Sequence, residues 1–336
     1  GGLALGGVLA CALFAAVSGS SPATVVAIGS ILLPAMVKQG YPNSFGVGVI
    51  GTSGALGILI PPSIVMVIYA VSTNTSIGKL FIAGIVPGLL LAALLLFVTW
   101  VVAKKKNYPR MPKASFTEVL KAFRESVWGL FLIVVVIGGI YSGIFTPTEA
   151  AAMSAVYAFV VAVFVYEDLT LKQVPKVLLD SANLSAMLLY IITNAVLFSF
   201  LLTSEQIPQT LAAWITGMGL APWTFLLVVN LLLLLAGNFM EPSSILLITA
   251  PMLFPVAMKL GIDPIHLGIV MTVNMEIGMI TPPVGLNLYV ASGIANMGLT
   301  DVTKACAAWI LVMLAFLMLV TYVPIISLWL PNLLMP

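Results

Sequence analysis

Two stretches of this chain concentrate the groups able to hold an ion or a small acid. Ser18, Gly19, Ser20, Ser21, Pro22, Ala23 and Thr24 set small hydroxyls and flexible backbone between apolar runs. Such a stretch suits a hard cation, which takes oxygen ligands, or a carboxylate, which takes donors. Thr52, Ser53, Gly54 and Gly57, just ahead of the adjacent prolines Pro61-Pro62, can complete the cage. In the second half Gly237, Asn238, Glu241, Ser243 and Ser244 correspond to the first stretch, with Asn274, Gly278, Thr281 and Asn287 around Pro282-Pro283. Other chemistries have less to work with. His266 is the single histidine, and Cys11 and Cys306 lie in apolar runs without metal-ligand spacing, so neither a His-based metal site nor a cofactor site is expected. Ser20 as an enzyme nucleophile lacks a paired base, because His266 is expected near the outer surface, and the chain is read as no enzyme. Nothing resembles the ring of filter residues of a channel.

The elements that must position these groups are set by composition. The 336 residues are 61% hydrophobic and 7% charged, against roughly 25% charged in a soluble domain. Too few polar side chains exist to cover a soluble surface, so the chain is read as an all-α polytopic protein in a lipid bilayer. The formal charge of +2 says nothing about nucleic acid, but no basic face alternates with aromatics, and no nucleic acid partner is expected. At membrane depth an ionisable side chain is costly and a functional candidate by default. Glu241 and Glu276 are the acids set most clearly in apolar sequence. Each can bind a coupling cation, carry a proton or pair with a base contributed elsewhere, and Glu241 can equally lie in outside water at a hairpin mouth. Glu149 in TPTEA reads as a helix-start charge, and Asn194 as an interhelical hydrogen bond.

Apolar runs near 80–103, 126–145, 148–166, 183–203 and 305–330 approach the ~20 residues that cross the hydrocarbon. Runs at 42–70 and 264–293 are each divided by Pro-Pro, and shorter arms at 2–17/25–37 and 224–236/245–258 flank the polar tips. Arms this short predict re-entrant hairpins, whose irregular tips must be shielded by protein or face a water-filled cavity. The segment 104–125 is rich in Lys and Arg, with an amphipathic face over 115–128, and is expected to lie along the cytoplasmic surface as a linker. Threaded from there, only Lys79 and Lys259 of the 13 basic residues fall outside.

Superposing Pro61-Pro62 on Pro282-Pro283 also aligns Gly57 with Gly278, Gly40 with Gly261, Lys38 with Lys259 and Pro34 with Pro255. Counting crossings sets the copies antiparallel. The expected organisation is a first inverted repeat over 1–103 (hairpin 2–38 opening inward, broken helix 42–70), the linker, and a second repeat over 126–336 (hairpin 224–259 opening outward, broken helix 264–293). Each break frees carbonyls at the end of one half-helix, which suit a cation, and amides at the start of the next, which suit a carboxylate. Proline fits the first turn of the second half, with Thr281 as its cap.

At these residues the sequence resembles a known family. GGLALGGVLACALFAAVSGSSPATVVAIGS, IPPSIVMVIYA, GIVPG and ITPPVGLNLYVASGI are similar to the large membrane subunit of TRAP transporters, the tripartite ATP-independent periplasmic family. The likeness runs from Gly1 to the C-terminus and implies further helices before Gly1. It implies sodium-coupled secondary uptake of a small organic acid, such as sialic acid or a C4-dicarboxylate, across a bacterial or archaeal inner membrane by an elevator mechanism. It also implies a small Q-type membrane subunit and a periplasmic substrate-binding protein as partners. Carried onto this chain, one sodium site falls between Ser20-Ser21 and the loop of Ser53, Gly54 and Gly57. The other falls between Gly237-Asn238 and the loop from Gly278 to Thr281. Substrate falls between the tips, at Ser20, Thr24, Glu241, Pro283 and Asn287. The competing expectation is a cation-coupled dicarboxylate or citrate carrier working without a binding protein.

Overall fold

The computed structural model describes residues 1–109, 114–207, 210, 213, 217 and 221–335. Arg110 and Lys113 of the expected linker lie outside the described residues. Every regular element among the described residues is helical, and seven helices among them are long and apolar enough to cross a membrane. Two compact units result: residues 1–111 with 199–336, and residues 112–198.

In the larger unit α1 (Gly2–Ser18) and α2 (Ser21–Lys38) form the first hairpin. The first broken helix follows as α3 (Asn43–Ser53), a 3-10 turn (Gly54–Ile58) and α4 (Ile64–Thr73), then α5 (Ile77–Lys105). The smaller unit holds α6 (Phe116–Tyr141), α7 (Pro147–Val165) and most of α8 (Val174–Ser204). The larger unit resumes with the second hairpin, α9 (Pro222–Gly237) and α10 (Pro242–Lys259). The second broken helix is α11 (Pro264–Gly278) and α12 (Leu286–Ala295), followed by α13 (Leu299–Tyr322) and α14 (Ile325–Leu334).

Corresponding elements of the two halves stop for corresponding reasons. The hairpins exit through Gly40 (φ 85) and Gly261 (φ 74), and the broken helices end at Asn74 (φ 54) and Asn296 (φ 50). All four adopt the left-handed conformation that Gly and Asn enter most readily. The second arms, α2 and α10, have 18 residues each, enough to reach about 27 Å; α1 and α9 are slightly shorter at 17 and 16. The run at 305–330, expected as one helix, divides into α13 and α14. Val323 leaves the helical region (φ −122, ψ 76) ahead of Pro324, whose missing N–H and ring disfavour continuation.

The broken helices occupy the interior. Every residue from Phe45 to Ser53 and from Ile265 to Gly278 is buried, as an all-round apolar helix requires. Packing between the halves is reciprocal: α2 lies along α12, and α10 lies along α4. Tyr69 of α4 fills the space left by Gly268 of α11, where an added Cβ would lie 2.6 Å from the ring. The Tyr69 hydroxyl donates to the Pro264 carbonyl at 2.7 Å. Burying an aromatic of this size contributes about 1.5–3 kcal/mol, and the hydrogen bond about 1 kcal/mol. On the other side Gly48 admits Trp309, whose Nε1–H donates to Thr99 Oγ1 at 3.0 Å.

In the smaller unit α6 and α7 each begin with a capping box, Ser115 with Glu118 and Thr146 with Glu149. Glu149 is therefore a helix-start charge. The amphipathic stretch 115–128 forms the opening turns of α6 and runs into the apolar part without a break. Hydroxyls stitch the two helices: Tyr157 donates to the Trp128 carbonyl and Tyr166 to the Glu125 carbonyl, both at 2.8 Å. Asn194 donates within its own helix, to the Tyr190 carbonyl at 2.7 Å.

Candidate functional site

The first tip is two residues long. Gly19 ends α1 in the left-handed region (φ 59), and Ser20 is extended (φ −137), so α2 restarts at Ser21-Pro22. The Ser20 carbonyl accepts from the Thr24 N–H at 3.1 Å, the Thr24 hydroxyl at 2.8 Å and the Ser18 hydroxyl at 3.2 Å. This knot is why a stretch of small hydroxyls can turn a chain inside apolar surroundings. The tip is pressed onto the first break: a Cβ on Gly57 would lie 2.6 Å from the Ser20 oxygen, and one on Gly19 would lie 2.8 Å from the Pro62 oxygen. A Cβ on Gly54 would collide with Val25. Ser20, Ser21, Ser53, Gly54 and Gly57 are thus brought together, with Thr24 holding the tip from beneath.

The second tip repeats the arrangement with different side chains. Gly237 ends α9 against Gly278, each so close that a Cβ would come within 3.0 Å of the other's Cα. The Asn238 carbonyl accepts from the Val284 N–H at 2.9 Å, as the Gly19 carbonyl accepts from Ile64 at 3.5 Å. Gly237, Asn238 and Gly278 are therefore together, with Thr281 one turn on and the Pro282–Val284 link alongside. Glu241 sits on the exposed side of this tip and caps α10. Its carboxylate accepts from the Ser244 N–H at 3.1 Å and the Ser243 hydroxyl at 2.7 Å.

The breaks differ in one respect that the sequence reading did not anticipate. Ser63 caps α4 directly after Pro62, accepting from the Met66 N–H at 3.3 Å. Thr281 does not cap α12. Its hydroxyl turns back to the Ile277 carbonyl at 2.6 Å, and α12 starts only at Leu286, after Gly285 at φ 45. Pro282 and Pro283 therefore lie in an exposed, non-helical link and not in a first helical turn. Ser63 was findable, since Ser immediately before an apolar helical run is a start signal.

Asn287 joins the halves. Its Nδ2 donates to Ser21 Oγ at 2.6 Å and reaches the Gly51 carbonyl at 3.5 Å, placing a side chain of the second broken helix at the first tip. On the far side a buried ladder ties α11 to its neighbours. Asn274 Nδ2 donates to Asn230 Oδ1 at 2.8 Å, and Asn230 Nδ2 donates to Thr321 Oγ1 at 2.9 Å. His266 bridges the Thr321 carbonyl (3.2 Å) and Ser327 Oγ (2.8 Å). His266 is only 2% exposed. Asn230 was legible as the polar residue that interrupts the Leu- and Val-rich run of α9; Thr321 and Ser327 carried no such signal.

The electrostatic character of both tips follows from what remains unpaired. Ser53 Oγ, Asn238 Oδ1, Asn274 Oδ1, Asn287 Oδ1 and both oxygens of Glu276 are buried without a hydrogen-bond partner. A buried oxygen with no donor costs about 1–3 kcal/mol, more for a charged group, and five residues of this kind lie at or within two turns of the two breaks. At each tip the C-terminal ends of two helices converge: α1 with the 3-10 turn, and α9 with α11. Helix C-termini carry partial negative charge. Two clusters of oxygen lone pairs in negative fields can bind small hard cations, and the starts of α2 and α4 present amides to an anion. Among the described residues no three His, Cys, Asp or Glu side chains gather, so any such site there is built largely from neutral oxygens.

Residues 1–326 match the family model described as the DctM component of the tripartite ATP-independent periplasmic transporter. The C4-dicarboxylate TRAP transporter large permease protein of Rhodobacter capsulatus is 69% identical, over 99% of this chain and 79% of its own length. Its counterpart in Pseudomonas aeruginosa is 61% identical over 99% and 78%. The sialic acid TRAP transporter large permease protein of Vibrio cholerae is 38% identical over 97% and 76%. With these relatives and seven membrane-length helices among the described residues, the chain is a multi-pass protein of the bacterial inner membrane and belongs to the large-permease, or DctM, family of tripartite ATP-independent periplasmic transporters.

Proposed function

We propose that this chain is the permease of a sodium-coupled uptake system for a C4-dicarboxylate. A periplasmic binding protein delivers the acid, and a small membrane subunit completes the assembly. The observation that carries the reading is the collection of unpartnered buried oxygens around the two helix breaks, on each of which a hairpin tip is seated. Sodium is the cargo such neutral oxygen sets suit: Ser20, Ser21, Ser53, Gly54 and Gly57 at the first tip, and Gly237, Asn238, Gly278 and Thr281 at the second. The acid binds between the tips, near Ser20, Thr24, Pro283 and Asn287, with Glu241 at the rim. Cations held there offset the negative helix ends, so the dicarboxylate binds well only after sodium, which is the coupling. The substrate class is drawn from the 69% and 61% identical relatives, whose names specify C4-dicarboxylates.

The halves are read as inverted repeats, with the hairpins re-entering from opposite faces. Support comes from the matched turns and breaks and from the reciprocal packing of α2 on α12 and α10 on α4. In an elevator cycle the tips, breaks and their cargo travel together. The side chain of Asn287, lodged in the first tip, favours such joint movement.

Uptake of radiolabelled succinate into proteoliposomes holding the complete assembly tests the reading. Accumulation should follow an inward sodium gradient and require the binding protein. Uptake indifferent to sodium overturns the coupling, and equal uptake by the permease alone returns the chain to the class of carriers without a binding protein.

A further inference from the structure

The buried ladder on α11 has a direction, set by the backbone groups that its side chains meet. Thr321 Oγ1 donates its single proton to the Leu317 carbonyl at 2.7 Å, so toward Asn230 it can only accept. Asn230 must therefore turn Nδ2 to Thr321, which leaves its Oδ1 facing Asn274. Asn274 answers with Nδ2, and the second proton of that amide goes to the Val270 carbonyl at 2.8 Å. Flipping Asn274 would set its oxygen against two other oxygens. Asn274 Oδ1 is thus left without a donor, on a residue with no exposure. His266 fixes the far end by bridging the Thr321 carbonyl and Ser327, so the starting point of the chain cannot drift.

The ladder shares helix faces with the second tip. Asn274 lies one turn before Gly278 on α11, and Asn230 lies two turns before Gly237 on α9, so each pair shares a face. One seam between the two helices therefore contains the Asn230–Asn274 hydrogen bond and the Gly237–Gly278 contact. The geometry points to Asn230 as a positioning residue for the second tip. It orients the Asn274 amide so that its oxygen is offered unpaired one turn below Gly278, and it sets the depth at which Gly237 meets that glycine. Asn230 itself touches neither cargo nor acid. The inference rests on the sodium-coupled reading above, with the second tip as one of the two cation positions.

The test is sodium activation of succinate uptake by the reconstituted assembly. Asn230→Leu keeps the size of the side chain and removes both hydrogen bonds. It should raise the half-saturating sodium concentration about tenfold, the scale of one buried hydrogen bond, while uptake at saturating sodium is retained. Asn274→Leu, which removes the offered oxygen itself, should raise the half-saturating sodium concentration at least as much, and the double variant should be no worse than Asn274→Leu alone, because Asn230 acts through Asn274. Thr321→Val, a smaller change that releases Asn230 to turn over, should give a shift of about threefold and decides the matter if Asn230→Leu does not assemble. Thr99→Val is the comparison: it removes an equally buried interhelical hydrogen bond, from Trp309, and should lower thermal stability without moving sodium activation. If Asn230→Leu and Thr321→Val behave like Thr99→Val, or if the double variant is additive, the positioning role is overturned while sodium coupling stands. A sodium-indifferent parent overturns both.

Discussion

One methyl group at Gly57 suffices to unseat the first tip. An added Cβ would lie 2.6 Å from the Ser20 oxygen, 2.7 Å from its carbonyl carbon and 2.9 Å from the Ser21 Cα, where ordinary contact begins at 3.4 Å. All three are backbone atoms, so no side chain can swing away, and the tip must withdraw from the 3-10 turn by about 0.8 Å. Overpacking of this kind costs about 1–3 kcal/mol. In the proposed sodium site the tip and the turn supply ligands on opposite sides of one cation, so most of that cost is expected to fall on the sodium-bound state, a loss of roughly 5- to 150-fold in affinity. Gly57→Ala should therefore raise the half-saturating sodium concentration for uptake by a factor in that range. Gly293→Ala, where nothing lies within 4 Å, should leave it unchanged and add up to about 1 kcal/mol of helix stability. Gly57→Ala protein that assembles normally and keeps parental sodium activation would refute the idea that tip seating builds the cation position.

Three further outcomes are expected. Asn287→Leu removes the bond to Ser21 and should lower both the maximal rate of succinate uptake and sodium cooperativity; an unchanged Hill coefficient would show that the halves do not communicate through it. Glu276→Leu replaces a fully buried carboxyl with no partner and should raise thermal stability in detergent by 1 kcal/mol or more while abolishing coupled uptake; a destabilised variant would reveal a partner for the acid. Glu241→Ala removes the cap of α10 and should cost about 1 kcal/mol of stability, restored by Glu241→Asp; full stability in the alanine variant would remove the capping role.

The chain by itself determined that the fold is helical and lipid-embedded, that two helices break at Pro-Pro, and which tip residues could face one another. Those conclusions rest on local or periodic signals: 61% hydrophobic residues, paired prolines that cannot continue a helix, and glycines, prolines and a lysine recurring at a constant offset. Sequence reading also held Glu149 as a helix-start charge, because a capping box lies within four consecutive residues. What it could not supply is which free polar atom meets which. Thr281 looked like a cap from spacing alone, yet the nearest acceptor for its hydroxyl is one turn behind it, at Ile277. The partners of His266, the Thr321 carbonyl and Ser327, come from α13 and α14 and follow only from packing. The insertion of Asn287 beside Ser21 and the ladder through Asn230 join residues from 44 to 266 positions apart. Long-range contacts of this kind depend on how helices rotate and cross when apolar faces are buried, which no local pattern encodes. Tertiary packing alone decided which oxygens would be left without donors, and two of them, on Ser53 and Asn238, belong to the proposed cation positions.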